Sequence, residues 1–297
     1  HRDLHSFPTR RSSDLTLHRP RFHENLDGFR VLVLANESNL SEAQAGAVRR
    51  FVRDGGGLIA THETSLCDER GRRRADFALA DVFGARYAGT LPASPRTLTP
   101  GARNAAALTV ATCASPHGDP LADVQPTTAR IAATFAGGGA NAAPRPAVVL
   151  NEYGRGRCVY LPGRLDAMQC MQPDPAVEAL FAGAVRWVAG GDVPVEVRAD
   201  GVIAVSLFRQ PDRLVVHLVN HERDTRLATD AWREIGNVRV RIEIPEGRRV
   251  AGIRRLWAGT AVAPLIEGRW LTADIGTLGE YEALAVDLDA PAAARGS

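Results

Sequence analysis

Polar residues follow three predicted strands of an α/β sheet, and their types could transfer protons or bind a ligand. These residues are Asn36, Glu37, His62, Glu63, Thr64 and Arg164. Ligands of open α/β sheets bind outside the carboxyl ends of the strands, so we expect these side chains to line one edge that faces a ligand or a partner. His62 and Glu63 could exchange protons if their pKa values lay near the working pH. Because adjacent residues leaving a strand point to opposite faces, the two need not share a site.

A cysteine nucleophile is the second chemistry that the sequence offers. Cys67 follows His62 closely, and a thiol beside an imidazole is a common catalytic pair. Such a nucleophile is usually presented on a sharp turn with small neighbours, whereas Cys67 lies in a charged loop. We therefore expect Cys67 to be non-catalytic, and Cys158, which lies within an apolar run, to be a small buried side chain.

The sequence shows no cofactor motif and no metal-ligand spacing. The glycines at Gly55–Gly57 precede a strand instead of following one, so they lack the context of a phosphate-binding loop. His217, His221 and Glu222 have the chemistry of metal ligands, but His217 falls within an apolar strand and the other two begin a loop. Arg70–Arg74 has the composition of a solvated loop. We predict no cofactor and no metal ion.

Composition limits the partners and the compartment. The 297 residues include 36 basic and 34 acidic side chains, which give a net charge of +2 and no field that would attract nucleic acid. No apolar run approaches the roughly 20 residues that a membrane span needs, so we expect no membrane association. The four cysteines are scattered without paired spacing, which favours a reducing compartment and therefore the cytoplasm.

A βαβ unit is predicted near the start of the chain. Phe29–Ala35 is a continuous apolar run, typical of a strand buried on both faces. A helix should begin after Ser41, whose hydroxyl can cap it while Gln44 reaches back, and should end at Gly55. Gly57–Thr61 then predicts a second buried strand, so the crossover should be right-handed.

The rest of the α/β region is less regular. We predict a short helix over Asp76–Phe83 ended by Gly84, and a last helix that begins after Asp174. Ala147–Asn151 and Arg157–Leu161 predict a hairpin at the edge of the sheet. Residues 88–146 are rich in Ala, Pro, Thr and Gly, and contain two further candidate strands. These candidates are Ala106–Thr112 and Ala129–Phe135.

Beyond Asp192 the apolar residues recur with a period of two, which indicates strands. Seven segments separated by turns predict a meander that forms a β-sandwich. The segments are Val193–Val197, Val202–Phe208, Arg213–Asn220, Asn237–Ile244, Arg248–Trp257, Arg269–Ile275 and Tyr281–Asp287. We therefore predict an α/β domain over residues 28–191, followed by an all-β sandwich domain over residues 193–289.

The first residues have the character of a sequencing artefact. The segment His5–Leu15 matches, without a gap, one reading frame of a common short-read sequencing adapter. We expect residues 1–15 to derive from that adapter and exclude them from fold reasoning. The natural protein is then expected to continue upstream of this chain.

Several segments together resemble a known domain. They are Phe29–Asn36, Ser41–Thr61, His62–Leu66, Asp76–Gly84, Arg213–Asn220 and Pro245–Gly247. The first four are similar to the trimerisation domain of family 42 β-galactosidases, and the last two to the small β-domain that follows it. The resemblance covers about residues 28–190 for the first of these domains and implies a flavodoxin-like or amidotransferase-like fold without a working triad.

The resemblance also implies that catalysis and assembly lie on different domains of a longer bacterial enzyme. The catalytic carboxylates of that family lie on a preceding TIM barrel, for which this chain has no room, so no catalytic residue is expected here. The implied role is assembly of a homo-oligomer, a trimer by resemblance, whose carbohydrate substrate binds to the missing barrel.

Two other functions remain open from the sequence. The first is a stand-alone amidotransferase-like or trehalose-utilisation-like enzyme, or a sugar-binding protein, that uses His62 and Glu63. The second is a structural β-sandwich fusion without any link to sugars.

Overall fold

The structure, a computed structural model, describes residues 22–24, 26, 28–101, 108, 110–115, 119–139, 142–171, 174–191, 193–222 and 232–289. The predicted adapter segment, residues 1–15, lies outside the described residues. The chain divides into two compact units, with the division in sequence between Asp192 and Val193. The predicted α/β domain followed by a β-sandwich is confirmed.

The first unit is a mixed sheet with helices. Its strands are β1 (Val31–Leu34), β2 (Gly57–Thr61), β3 (Ala85–Leu91), β4 (Arg96–Pro100), β5 (Cys113–Ser115), β6 (Leu121–Pro126), β7 (Arg130–Gly137), β8 (Arg145–Tyr153) and β9 (Gly156–Leu161). Its helices are α1 (Glu42–Arg53), α2 (Ala80–Phe83), α3 (Leu165–Met171) and α4 (Pro175–Val188). Seven strands pair in the order β1-β2-β9-β8-β7-β4-β5, while β3 and β6 pair separately. Only β1, β2 and β9 are parallel, so the expected parallel sheet is extended by antiparallel strands.

The predicted βαβ unit forms, with one correction. All five residues of β2 are buried, as the apolar run indicated. The strand β1 is an edge strand instead of being buried on both faces, and its Val33 side chain is 51% exposed. The prediction was wrong because a continuous apolar run does not show whether other elements cover both faces of a strand, and the face that carries Val33 is not covered.

A capping box begins α1. The Ser41 hydroxyl accepts a hydrogen bond from the Gln44 amide at 3.2 Å, and the Gln44 side chain accepts one from the Ser41 amide at 2.9 Å. The helix ends at Arg53, and Gly55 follows with a φ of +114°. Both ends of α1 therefore lie where the sequence predicted them.

The variant Ser41→Ala tests the contribution of this cap. We expect a loss of about 1 kcal/mol in the free energy of unfolding, because an amide of the first turn loses its acceptor. Urea unfolding monitored by circular dichroism would measure it. Ser41→Asp, which keeps an acceptor at the cap, should be close to neutral, and equal midpoints for the Ser41→Ala variant and the parent chain would contradict the assignment.

The β8–β9 hairpin is confirmed as a hairpin but lies in the centre of the sheet. Its predicted edge position was wrong, because β7, β4 and β5 extend the sheet beyond β8. These strands come from the region that had no clear pattern. Ala129–Phe135 does contribute β7. Of Ala106–Thr112, residues 106, 107 and 109 lie outside the described residues and the others are not in a strand.

The short helix α2 and the last helix were predicted with different accuracy. Only Ala80–Phe83 of the predicted Asp76–Phe83 is helical, although Gly84 ends it with a φ of +64° as expected. The carboxylate of Asp174 caps α4 by accepting from the Ala176 amide at 2.7 Å.

The second unit is a sandwich of two antiparallel sheets. Its strands are β10 (Val195–Arg198), β11 (Ile203–Gln210), β12 (Arg213–Asn220), β13 (Ile235–Glu243), β14 (Val250–Arg255), β15 (Thr260–Ala261), β16 (Leu265–Glu267), β17 (Trp270–Leu278) and β18 (Tyr281–Leu288). One sheet has the order β10-β13-β17-β16 and the other β11-β12-β18-β14-β15. Apolar side chains from both sheets form one core. Each predicted segment overlaps a strand, but β15 and β16 were not predicted, and the strands change sheet along the chain and do not form a meander.

Candidate functional site

The ends of β1 and β2 bring Asn36 and His62 together. Both residues adopt left-handed backbone conformations, with φ of +49° and +47°. The Asn36 side-chain oxygen lies 3.3 Å from His62 Nδ1 and also accepts the Glu63 amide at 3.3 Å. The Asn36 amide donates to the Thr61 hydroxyl at 2.8 Å, which joins the two strand ends. Positive φ is uncommon outside glycine and concentrates at functional sites.

His62 is almost fully buried, with 7% of its surface exposed. Burial lowers the pKa of its imidazole, and the negative charge of Glu63 only partly opposes that shift. The charges of Arg164 and Asp166 act on the same ring, and the Pro120 carbonyl also faces it. His62 Nε2, Arg164 Nε and Asp166 Oδ1 are buried and make no hydrogen bond.

Glu63 has different contacts from those of its neighbour. Its carboxylate accepts Arg73 Nη2 at 2.9 Å and the Thr90 hydroxyl at 3.1 Å. Arg73 also donates to the Tyr87 hydroxyl and lies over that ring, 5.1 Å from its centroid. Burial would raise the pKa of Glu63, but the hydrogen bond and charge of Arg73 outweigh it and hold the pKa below 4.5. A carboxylate so stabilised is a poor proton donor near neutral pH.

The variant Glu63→Gln tests this ion pair through its pH dependence. Because the pKa is lowered by folding, the contribution to stability is present above pH 4.5 and is lost as the pH falls through the folded-state pKa. The pair is partly exposed, so we expect a loss of about 0.5–1 kcal/mol at pH 6. Once the pH is below the folded-state pKa of Glu63, the stabilities should converge. Glu69→Gln, in the same loop, should leave the dependence of stability on pH unchanged. If the stability of Glu63→Gln differed from that of the parent chain by the same amount at every pH, the ion-pair assignment would be contradicted.

Thr64 and Glu37 hold the strand ends together through the backbone. Thr64 is fully buried, and its hydroxyl lies 2.7 Å from the Thr61 carbonyl and 3.1 Å from the Leu34 carbonyl. The same hydroxyl accepts the Glu37 amide at 3.1 Å. Thr64 therefore positions the backbone of the edge, and its hydroxyl has no proton left to donate to a ligand.

The other chemistry-bearing residues do not form a second site. Cys67 is half-buried, and burial raises the pKa of the fully buried Cys158 thiol. His217 Nδ1 lies 2.6 Å from the Tyr281 hydroxyl, whereas Glu222 pairs with Arg233 at 2.8 Å. Among the residues that the structure describes, no group of three His, Cys, Asp or Glu side chains could hold a metal ion.

Several partners of these residues were not predicted from the sequence. Arg73 was assigned to a solvated loop, yet it connects Glu63 to β3. Arg96 is buried and donates to the carbonyls of Pro92, Ser94 and Asp119. The one sequence signal that could have indicated this buried guanidinium is the position of Arg96 within a strand-like run. In the described part of the chain, no helix is long and apolar enough to cross a bilayer.

Comparison with known families identifies the domain that carries the polar edge at the ends of β1 and β2. The family model described as the β-galactosidase trimerisation domain matches residues 11–173. The chain belongs to this family. The match to the trimerisation domain starts earlier than the expected residue 28, overlaps residues 11–15 of the predicted adapter segment, and ends before α4.

Relatives of this trimerisation-domain chain are larger proteins. β-Galactosidase BbgII of Bifidobacterium bifidum is 30% identical over 154 residues, which are 51% of this chain and 22% of that protein. Among solved structures, α-L-fucosidase isoenzyme 2 from Paenibacillus thiaminolyticus has a TM-score of 0.69 at 14% identity, over 89% of this chain and 41% of that one. A β-galactosidase from Bacillus circulans sp. alkalophilus has a TM-score of 0.59 at 16% identity, over 86% and 33%. The trimerisation-domain chain thus spans less than half the length of each, and the two structural likenesses show the fold.

Proposed function

We propose that this chain is the non-catalytic, oligomerising region of a bacterial, cytoplasmic glycoside hydrolase of the β-galactosidase type. Membership of the trimerisation-domain family is the observation that carries the proposal. In this proposal three copies of the chain associate, and the polar edge from Asn36 to Arg164 faces a neighbouring subunit. Carbohydrate is cleaved by carboxylates on another part of a longer protein.

The contacts at the edge support assembly over catalysis. An amidotransferase-like or trehalose-utilisation-like enzyme, or a sugar binder using His62 and Glu63, needs both side chains on one ligand. Glu63 is instead bound to Arg73 and Thr90, while His62 contacts Asn36. The lowered pKa of Glu63 also makes this carboxyl a poor candidate for the general acid that glycoside cleavage requires.

Two measurements on the purified chain test the proposal. Light scattering after size exclusion should give three times the chain mass of 31.9 kDa. Incubation with 4-nitrophenyl β-D-galactoside should release no nitrophenol above the buffer blank. A monomer at all concentrations would refute the assembly role, and turnover that disappears in Glu63→Gln would refute the non-catalytic role.

A further inference from the structure

The hydrogen bonds around Asn36 fix which nitrogen of His62 carries the proton. A backbone amide can only donate, so the Asn36 atom that contacts the Glu63 amide is the side-chain oxygen. His62 Nδ1 lies 3.3 Å from that oxygen and must therefore donate to it. Burial lowers the pKa of the imidazole, and in the neutral ring with its proton on Nδ1 the lone pair lies on Nε2, which makes no hydrogen bond to the nearby Pro120 carbonyl.

Two further buried atoms complete a set with a defined hydrogen-bonding capacity. Arg164 Nε is a donor and Asp166 Oδ1 is an acceptor, and like His62 Nε2 they form no hydrogen bond. A buried polar group without a hydrogen bond is destabilising, and the charges of both Arg164 and Asp166 act on the His62 ring, so the three groups favour a bound partner. The left-handed backbone of His62 adds strain at the same place.

The polarity of the three atoms selects the chemistry of the ligand. A metal ion would face the Arg164 N–H, and an anion would face both Asp166 and the Nε2 lone pair. A neutral hydroxyl-type oxygen fits, because it can donate to Nε2 or Asp166 and accept from Arg164. A cavity of about 20 Å³, enough for one water-sized group, lies beside this place; Arg164 and Pro120 line it, whereas His62 and Asp166 do not.

We propose that His62 Nε2, Arg164 Nε and Asp166 Oδ1 bind one neutral hydroxylic ligand at the carboxyl end of β2 and β9. The site binds either a water molecule or a single hydroxyl group of a saccharide. Its role is to join the strand ends to α3 through hydrogen bonds that the protein alone does not make. The inference concerns side chains within one chain, so it does not rest on trimer formation.

Nitrogen-15 NMR of the imidazole rings in the whole chain tests the site. We expect the His62 ring to be protonated on Nδ1, with the unprotonated Nε2 resonance shifted upfield by a hydrogen bond. Exposed His221 serves as the internal reference. An Nε2–H tautomer, or an Nε2 resonance at the position of a nitrogen without a hydrogen bond, would overturn the proposal. This result requires no variant to fold.

Two additions separate the sources of the ligand. A shift of the Nε2 resonance on titration with galactose identifies a saccharide hydroxyl, whereas an unchanged resonance with a nuclear Overhauser effect to water identifies bound water. In Arg164→Gln the Nε2 resonance should move downfield, because the ligand loses a donor. Arg70→Gln, at an exposed loop arginine, should leave the resonance in place. If the two variants moved the resonance equally, the proposed role of Arg164 would fail.

Discussion

Replacing Gly156 by alanine will destabilise the α/β unit by about 3 kcal/mol, the upper end of the usual cost of overpacking. Gly156 is the first residue of β9, and a Cβ there would collide with the carbonyl oxygens of Val52 and Gly56. Both obstacles are backbone atoms at the end of α1 and the start of β2, so neither can turn away as a flexible side chain could. Relief requires β9 to move from its partner β2. Urea unfolding followed by circular dichroism measures the loss.

Gly46→Ala is the matched control, because the same methyl group is added in the middle of α1. Its nearest neighbour is the end of the Arg50 side chain at 3.7 Å. We expect Gly46→Ala to stabilise the chain by up to about 1 kcal/mol, since alanine loses less conformational entropy in a helix. The two glycine-to-alanine variants should therefore differ in sign. A destabilisation of the same size in both would show that the close approach at Gly156 is wrong.

The second large effect is expected at Glu282 in the β-sandwich. Its side chain is 1% exposed and pairs with Arg255 at 2.9 Å. The carboxylate also accepts the amides of Trp257 and Ala283, each at 2.9 Å. Glu282→Ala leaves Arg255 without its counter-charge and the amides without an acceptor. We expect a loss of about 3–5 kcal/mol in unfolding free energy, as when one partner of a buried pair is removed.

Trp257 provides a local readout of the same change. It is 77% exposed on the turn after β14, and the Glu282 carboxylate holds that turn. Loss of the carboxylate should increase the mobility of the indole, which fluorescence anisotropy would detect. Glu267→Ala removes an exposed carboxylate from β16 of the same unit and should stay within about 0.5 kcal/mol of the parent chain. Equal stability of Glu282→Ala and Glu267→Ala would contradict the buried-pair interpretation.

The parts of the fold that could be predicted are those with a local signal. The capping residues Ser41 and Gln44, the apolar run of β2 and the helix-ending Gly84 each act through near neighbours in the sequence. The strand order could not be predicted in this way. The central position of the β8–β9 hairpin depends on β7, β4 and β5, whose Ala-, Thr- and Pro-rich sequences have no strong period.

The candidate site was predictable to the same degree. The sequence predicted one polar edge that includes Asn36 and His62, and the alternation of side chains indicated that His62 and Glu63 need not share a site; in the structure they have different partners. The partners of Glu63 were not predictable, because Thr90 and Arg73 reach it through the contact of a loop with β3. Asp166 follows Arg164 by two residues, but its place near enough to His62 to act on the imidazole depends on where α3 begins.

The pairing of β2 with β9 has a consequence for how the protein is made. β2 is complete at Thr61, but its second neighbour is formed by Gly156–Leu161, so residues 62–155 must leave the ribosome before the sheet can close. Until then, one side of a strand that is fully buried in the finished fold has no hydrogen-bond partner. Slow translation or a truncated message would prolong that state and favour aggregation of the nascent chain.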